Sequence, residues 1–384
     1  MNFITDTDSL AAFCADMKSA DYVTVDTEFM RESTYWPQLC LVQVAGPDDH
    51  AVIDPLAEGI DLAPLFDLMR DPKITKVFHA ARQDLEIFLH LMDSVPTPVF
   101  DTQIAAMVCG FGESVGYDHL ISKLTKVRLD KGPRFTDWSL RPLSDRQIEY
   151  ALADVTHLRK AYEKLVSRLE REGRYPWIEE EMAELADPEI YIVDPMKAYE
   201  RIKTRGGKGR FLAVLRELAA WRELEARRRD VPRNRVLRDE TLAEIAHHTP
   251  STAEALAKSR GLGAKAAHGP MGKYILEAIE RGMAVPESDW PRPPAKPDLP
   301  RGIGPISDLL KVLLKKVSED THVAGRLIAN SADVELIAGL GEDAGVAALK
   351  GWRREIFGED ALKLRAGKLW LAVDGANLVI QERG

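Results

Sequence analysis

Tyr22-Val-Thr-Val-Asp26-Thr-Glu28-Phe29-Met30 is a β-branched apolar run that ends in two acids one residue apart. Such a run reads as a strand, where residues two apart share a face, so Asp26 and Glu28 aim at one spot. Carboxylates this close repel unless a proton or a cation offsets the charge. A hard divalent ion with oxygen ligands, magnesium or manganese, is the economical solution. Outward from this strand, 39–45 and 51–54 read as further strands, separated by turn-rich 31–37 and by Gly46-Pro47-Asp48-Asp49. Then follow a helix over 62–69, a strand over 74–79 and an amphipathic helix over 81–92, with helices predicted at 102–109, 118–126 and 144–171. A mixed sheet followed by helices is an α/β layer architecture.

Two more acids belong with the first pair. Asp84 stands in His79-Ala-Ala-Arg-Gln-Asp84-Leu-Glu86, in the first turn of its helix, where an acid also interacts well with the helix dipole. Tyr150 and Asp154, in Tyr150-Ala-Leu-Ala-Asp154, lie four apart in a helical pattern and so share a face. Taken alone, Tyr150 would read as a buried aromatic and Asp84 as a dipole-facing acid; order, spacing and company point instead to one site.

These residues carry a resemblance. Their order and spacing resemble the three motifs of the DEDD exonuclease superfamily in its tyrosine subclass, whose third motif is Tyr-x-x-x-Asp; His157 lies after Asp154, not before it as a histidine-subclass residue would. With the flanking phrases around Thr34 to Val44, Phe100-Asp101-Thr102-Gln103 and Thr136-Asp137-Trp138, the whole chain resembles the ribonuclease D family. That resemblance implies a ribonuclease H-like α/β domain in which Asp26, Glu28, Asp84 and Asp154 hold two Mg2+ ions, with Mn2+ able to substitute. Tyr150 then orients the attacking water: with an ordinary pKa near ~10 a tyrosine is a poor base at neutral pH. The implied activity is 3′→5′ removal of nucleoside 5′-monophosphates from RNA, in transfer RNA precursors and other small structured RNAs. The alternatives are a DNA 3′→5′ exonuclease and a non-catalytic RNA-binding scaffold; the intact acids and Tyr150 speak against the scaffold.

Glu32, Glu86 and Asp101 are read as surface or locally hydrogen-bonding acids, and His79 and Gln83 as neighbours of the second motif, the histidine structural. Gln43 bonds backbone or nucleotide in this reading. Phe29 and Met30 either wedge against a terminal base or pack in the core. Trp138 and Arg141 either touch RNA or pin the loop before the third motif.

At 384 residues the chain is long for one domain. No apolar run approaches the roughly 20 residues of a membrane span. The start, Met1-Asn-Phe-Ile-Thr-Asp6, has no basic, apolar leader, so the expected location is the cytoplasm. Cys14, Cys40 and Cys109 are widely spaced, which argues against a disulfide framework or a zinc site, and all three read as small apolar residues. The net charge of −9 hides a basic stretch: 201–238 holds thirteen Lys or Arg against four acids. A segment of this sign suits RNA backbone contacts or, more simply, a solvated helix face.

The stretch Leu218-Ala-Ala-Trp221-Arg222-Glu-Leu-Glu-Ala-Arg227 through Asp239, continuing to Gly272-Lys273-Tyr274, resembles the helicase and ribonuclease D C-terminal (HRDC) domain. Gly351-Trp352-Arg353-Arg354-Glu-Ile-Phe357-Gly358 resembles a divergent second copy. The expected organisation is an exonuclease domain over 1–190, an HRDC domain over 205–285, a proline-rich linker over 286–300 and a second, HRDC-like all-α bundle over 301–384. Short apolar stretches within 362–380 suggest a hairpin. A monomer is expected, and an exonuclease domain that folds without the residues after 204.

Overall fold

The computed structural model describes residues 2–129, 132, 136–204, 206–207, 209–292 and 297–382. Arg205 and Lys208 of the basic stretch and 293–296 of the linker lie outside them. The N-terminal part runs β1 (Asn2–Ile4), α1 (Thr7–Met17), β2 (Tyr22–Met30), β3 (Gln38–Ala45), β4 (His50–Ile53), α2 (Ala63–Arg70), β5 (Thr75–Phe78), α3 (Arg82–Met92), β6 (Val99–Asp101), α4 (Thr102–Val108), α5 (Tyr117–Thr125), α6 (Asp145–Arg171) and α7 (Pro176–Ala186). The six strands form one mixed sheet in the order β1-β4-β3-β2-β5-β6. The α/β expectation holds, and β1 and α1 are additions to the elements read from sequence.

The sheet has two differently covered faces. Val23, Val25, Val42, Val44 and Ile53 pack with α1, α2 and α3 into one core. Leu41 and Val52 on the other face meet Ile148, Ala151 and Leu152 of α6. Helix α6 begins in a capping box, in which the Ser144 side chain and Gln147 satisfy each other's backbone N–H groups. The Thr24 hydroxyl ties α6 to the central strand by donating to the Val155 carbonyl at 2.9 Å.

Beyond the sheet and its helices, α8 (Arg210–Arg229), α9 (Arg233–Val236), α10 (Asp239–His248), α11 (Ala253–Leu256), α12 (Ala264–Ala267) and α13 (Pro270–Ala284) enclose a core of their own. Gly282 marks where α13 crosses α8: a Cβ there would lie 2.5 Å from the Val214 Cα.

The last region departs from the expected independent bundle. Its helices α14 (Gly304–Thr321), α15 (Gly325–Ile328), α16 (Ser331–Leu340), α17 (Gly351–Arg353) and α18 (Glu359–Arg365) share one hydrophobic core with α4, α6 and α7. Trp352 stacks on Trp177 with ring centroids 4.7 Å apart, and the Ala324 N–H donates to the Met107 carbonyl at 2.9 Å. Buried Arg353 donates to Glu180 at 2.8 Å and to Glu181. An N-terminal α/β layer cut before this region would expose an apolar face, so the expectation that it folds without the residues after 204 is not supported. The hairpin is present as β7 (Leu369–Asp374) and β8 (Asn377–Glu382), although 362–365 belongs to α18.

Phe357 is wholly buried in the shared core. Phe357→Ala should cost about 3–5 kcal/mol. In urea titration the α/β layer and the last region should unfold together, so tryptophan fluorescence and far-ultraviolet circular dichroism keep one common midpoint; separate midpoints would contradict the shared core.

Candidate active site

Strand β2 delivers the first pair of acids at a place where the sheet opens. It pairs with β5 only from Tyr22 to Thr24 but with β3 as far as Met30, so beyond Thr24 it has a strand on one side only. The register shifts between Glu28 and Phe29, where Cys40 of β3 is the extra residue, and the ladder is irregular there. Helix α6 lies across this end and brings Asp154 to the pair. One carboxylate oxygen from each of Asp26, Glu28 and Asp154 lies within 4.8 Å of the others, and among the described residues this is the one such acidic cluster. An oxygen-only donor set of this size fits a hard divalent cation.

The surroundings make that charge costly. Withdrawal from water, and then the facing Asp154, push Asp26 well above the ordinary carboxylate value of 3.8. Tyr150 hydrogen-bonds Asp154, and burial followed by the charges of Asp154, Glu28 and Asp26 pushes its phenol above its usual value. The acids and the tyrosine line one cleft of about 530 Å³.

Asp84 stands apart. Thr27 points to the opposite side of β2 from Asp26, and its hydroxyl donates to the Asp84 carboxylate. Asp84 is thus buried next to Asp26 but outside the three-acid cluster and outside the cleft wall. Burial, and then the charge of Asp26, raise its pKa well above 3.8. The turn that launches its helix is held by Asp101, which accepts from the N–H groups of Ala80 at 3.0 Å, Ala81 at 2.9 Å and Gln103 at 2.7 Å. Ala80 sits there in the left-handed region, with φ +59°.

Asp101 is therefore the locally bonding acid that the sequence suggested. Glu86 is paired with Arg31 at 2.7 Å, and Glu32 is exposed. His79 donates through Nε2 to the Val115 carbonyl at 3.1 Å and meets Thr102 at 3.0 Å; burial holds it below its usual value, as expected of a structural histidine. Arg141 grips Asp54 with two bonds of 2.6 Å and the carbonyls of Cys40 and Trp138, so it pins its loop. Phe29 lines the cleft, whereas Met30 packs with Cys40 and Trp138. Gln83 is also on the wall. Gln43 is fully buried and bonds neither backbone nor any other described group.

Sequence reasoning missed Tyr117 and Asp118, which complete the wall. The Tyr117 hydroxyl donates to the main-chain carbonyl of Asp154 at 2.5 Å. Nothing local in Gly116-Tyr117-Asp118 signals this, because the contact is made to α6 across the fold.

With this geometry in view, comparison with known proteins is decisive. A family profile described as 3′-5′ exonuclease matches residues 1–170, and one described as HRDC domain matches 211–279. Ribonuclease D of Jannaschia sp. is 51% identical over 383 residues, covering 99% of each chain. The chain belongs to the ribonuclease D family. Ribonuclease D of Granulibacter bethesdensis is 50% identical over 99% of this chain and 96% of its own. The crystal structure of Escherichia coli RNase D, described as an exoribonuclease involved in structured RNA processing, superposes with a TM-score of 0.81 at 34% identity, covering 96% of this chain and 99% of that one. The chain is accordingly a 3′→5′ exoribonuclease with an N-terminal α/β exonuclease domain and a helical C-terminal region containing an HRDC domain.

The Asp84 carboxyl gives a pH test in ion-free protein. Its folded pKa is raised, so above about 3.8 the folded state holds a proton that the unfolded state has released, and stability is lost as pH rises through that window. Asp84→Asn keeps an oxygen for the Thr27 hydroxyl and does not titrate. In thermal melts with chelator the variant should gain on wild type progressively from about pH 4 toward neutrality; a constant gap would show that the carboxyl is not desolvated.

Proposed function

We propose that Asp26, Glu28, Asp84 and Asp154 hold two Mg2+ ions, replaceable by Mn2+, and that Tyr150 positions the water that releases a nucleoside 5′-monophosphate from the 3′ end of RNA. The observation that carries this reading is the convergence of three carboxylate oxygens within 4.8 Å in a cleft where Tyr150 is bonded to Asp154. Two such ions, when bound, acidify water, neutralise the phosphoryl oxygens and stabilise the departing oxygen. The protein's own groups supply the rest. Tyr150, its pKa raised, keeps its proton at neutral pH and so orients rather than abstracts. Phe29 offers the cleft an apolar face on which a terminal base can rest, a contact indifferent to sequence.

In this reading 1–190 is the catalytic unit and 205–285 holds the RNA body, joined by 286–300 to the module over 301–384. Several basic residues are already paired: Arg222 with Asp239, Arg227 and Arg233 with Glu223, and Arg228 with Glu225. Arg201 and Arg238 have no ion-pair partner among the described residues, and they line a groove of about 610 Å³ with Pro232 and Asn234, opposed by Glu240. These two are the phosphate contacts we assign. Transfer RNA precursors and other small structured RNAs are the proposed substrates, the cytoplasm the proposed location and a monomer the proposed state. No described helix is long and apolar enough to cross a membrane.

Asp26→Asn or Asp154→Asn should nearly abolish mononucleotide release from matched RNA and DNA oligonucleotides with free or blocked 3′ ends, the RNA with a free end being the preferred substrate of wild type. Activity within tenfold of wild type, a barrier change of only ~1.4 kcal/mol, would count decisively against the ligand assignment. Tyr150→Phe should lower turnover roughly 10²-fold with RNA binding unchanged.

Arg201→Glu with Arg238→Glu should weaken binding of structured RNA and flatten the dependence of log K on log salt by about two contacts' worth, while mononucleotide release from a short oligonucleotide persists. An unchanged salt slope would make this groove a solvated surface.

A further inference from the structure

Among the described residues, Gln43 is a buried side chain beside the acids both of whose polar atoms the fold leaves without use. It is wholly shielded from solvent, and neither its Nε2 nor its Oε1 has a hydrogen-bond partner among the described residues. Its place in the sheet is specific. On β3 it stands directly opposite Asp26 of β2, and on its other side it faces Val52 of β4. Residues opposite one another across antiparallel strands share a face, with Cβ atoms about 4.5–5.5 Å apart, so a glutamine amide on its two methylenes reaches the neighbouring carboxylate.

The groups around this position are few. Val52 is apolar, and so is Ala151, which α6 packs against Leu41 and Val52 on this face. The diagonal neighbour Thr24 donates to the Ala45 and Val155 carbonyls. Of the two acids on this face of β2, Asp26 stands directly opposite and Glu28 one diagonal step away; Asp26 offers one oxygen to the acidic cluster, leaving the second to be oriented.

From this placement we infer that Gln43 is a positioning residue for Asp26: its Nε2–H donates to the Asp26 carboxylate oxygen turned away from the cleft when that side chain holds a cation. The inference rests on the reading of Asp26 as a cation ligand. It follows a general pattern, in which carboxylates that bind metal are held by hydrogen bonds from behind and loss of such a partner weakens metal affinity 10- to 100-fold. In the ion-free protein the amide is a stranded polar group, which destabilises the fold. Gln43 therefore trades stability against the orientation of Asp26.

The test uses the full chain stripped of divalent ions, with Mg2+ titrated calorimetrically and melting temperatures recorded with and without Mg2+. Gln43→Leu should melt about 2–4 °C above wild type without ions and bind Mg2+ at least tenfold more weakly, and its activity should recover as Mg2+ is raised, with KM for RNA unchanged. If the branched leucine prevents folding, Gln43→Met, unbranched and of similar length, decides by the same readings. Mg2+ affinity within threefold of wild type in a folded variant would overturn the inference. So would a lower ion-free melting temperature with unaltered Mg2+ binding, the signature of an amide satisfied by a buried water. Asp26→Asn serves as reference: if the unaltered chain itself bound no Mg2+, the ligand reading would fall, and this inference with it.

Discussion

Repulsion among acids gathered where water is scarce is the constraint on which the rest of this structure depends. Asp26, Glu28 and Asp154 bring oxygens within 4.8 Å of one another, and Asp84 adds a fourth carboxyl behind Asp26. At such separations, away from bulk water, each charge raises the cost of the next, which is why Asp26 and Asp84 both sit above the ordinary carboxylate range. The fold must hold these groups together against their own electrostatics. It does so with elements that are rigid for independent reasons: a central strand paired with β3 from Thr24 to Met30, and a 27-residue helix whose buried face runs through Ile148, Ala151, Val155, Leu158 and Leu165.

The joints between those elements are small. The Thr24 hydroxyl fastens α6 to β2, the Thr27 hydroxyl fastens Asp84 to β2 from the other face, and Asp101 fixes the turn that starts α3. Two threonines three residues apart on one strand, and so on opposite faces, thus address the two layers that carry Asp154 and Asp84. Alternation, which points Asp26 and Glu28 one way, necessarily points Thr27 the other. The same four residues that make the strand amphipathic distribute the acids.

Period-two and period-four patterns made the core of this arrangement readable before any coordinates. Asp26 and Glu28 on one strand face, and Tyr150 and Asp154 on one helix face, follow from local geometry alone, and the strand and helix limits lie within a few residues of those expected. What was not readable is what depends on partners distant in sequence. The seat of Asp84 against Thr27 is set by how α3 meets the sheet. The orphaned amide of Gln43 is invisible in an apolar run that needs only a buried residue there. Leu310, Leu313 and Val317 on α14 give the same periodicity whether they cover their own bundle or, as here, α4 and α6. The pairing inside the basic stretch was hidden for a related reason. Glu223 and Arg227 are a countable i,i+4 pair, but the second claim on Glu223, by Arg233, comes from the next helix.

That claim matters for how substrate binding and chemistry are joined. Glu223 is almost wholly buried; burial alone would raise its pKa, but bonds from Arg233 and Tyr35 outweigh this and hold it below its usual value. Tyr35 belongs to the connection between β2 and β3, seven residues after Glu28. Asp230, at the end of α8, accepts from the N–H groups of Tyr35 and Trp36, both at 3.0 Å, and Trp36 stacks on His90 of α3 at 4.1 Å. The connection leaving the catalytic strand is therefore also the seat of the HRDC module and a prop for the helix that carries Asp84. A charged junction this enclosed has a defined geometry rather than a sliding contact, since removing either partner would leave a buried charge unpaired. The HRDC module is thereby held at a set distance from the acids, by a junction whose parts are spread over the β2–β3 connection and both ends of the basic stretch's charged pairs.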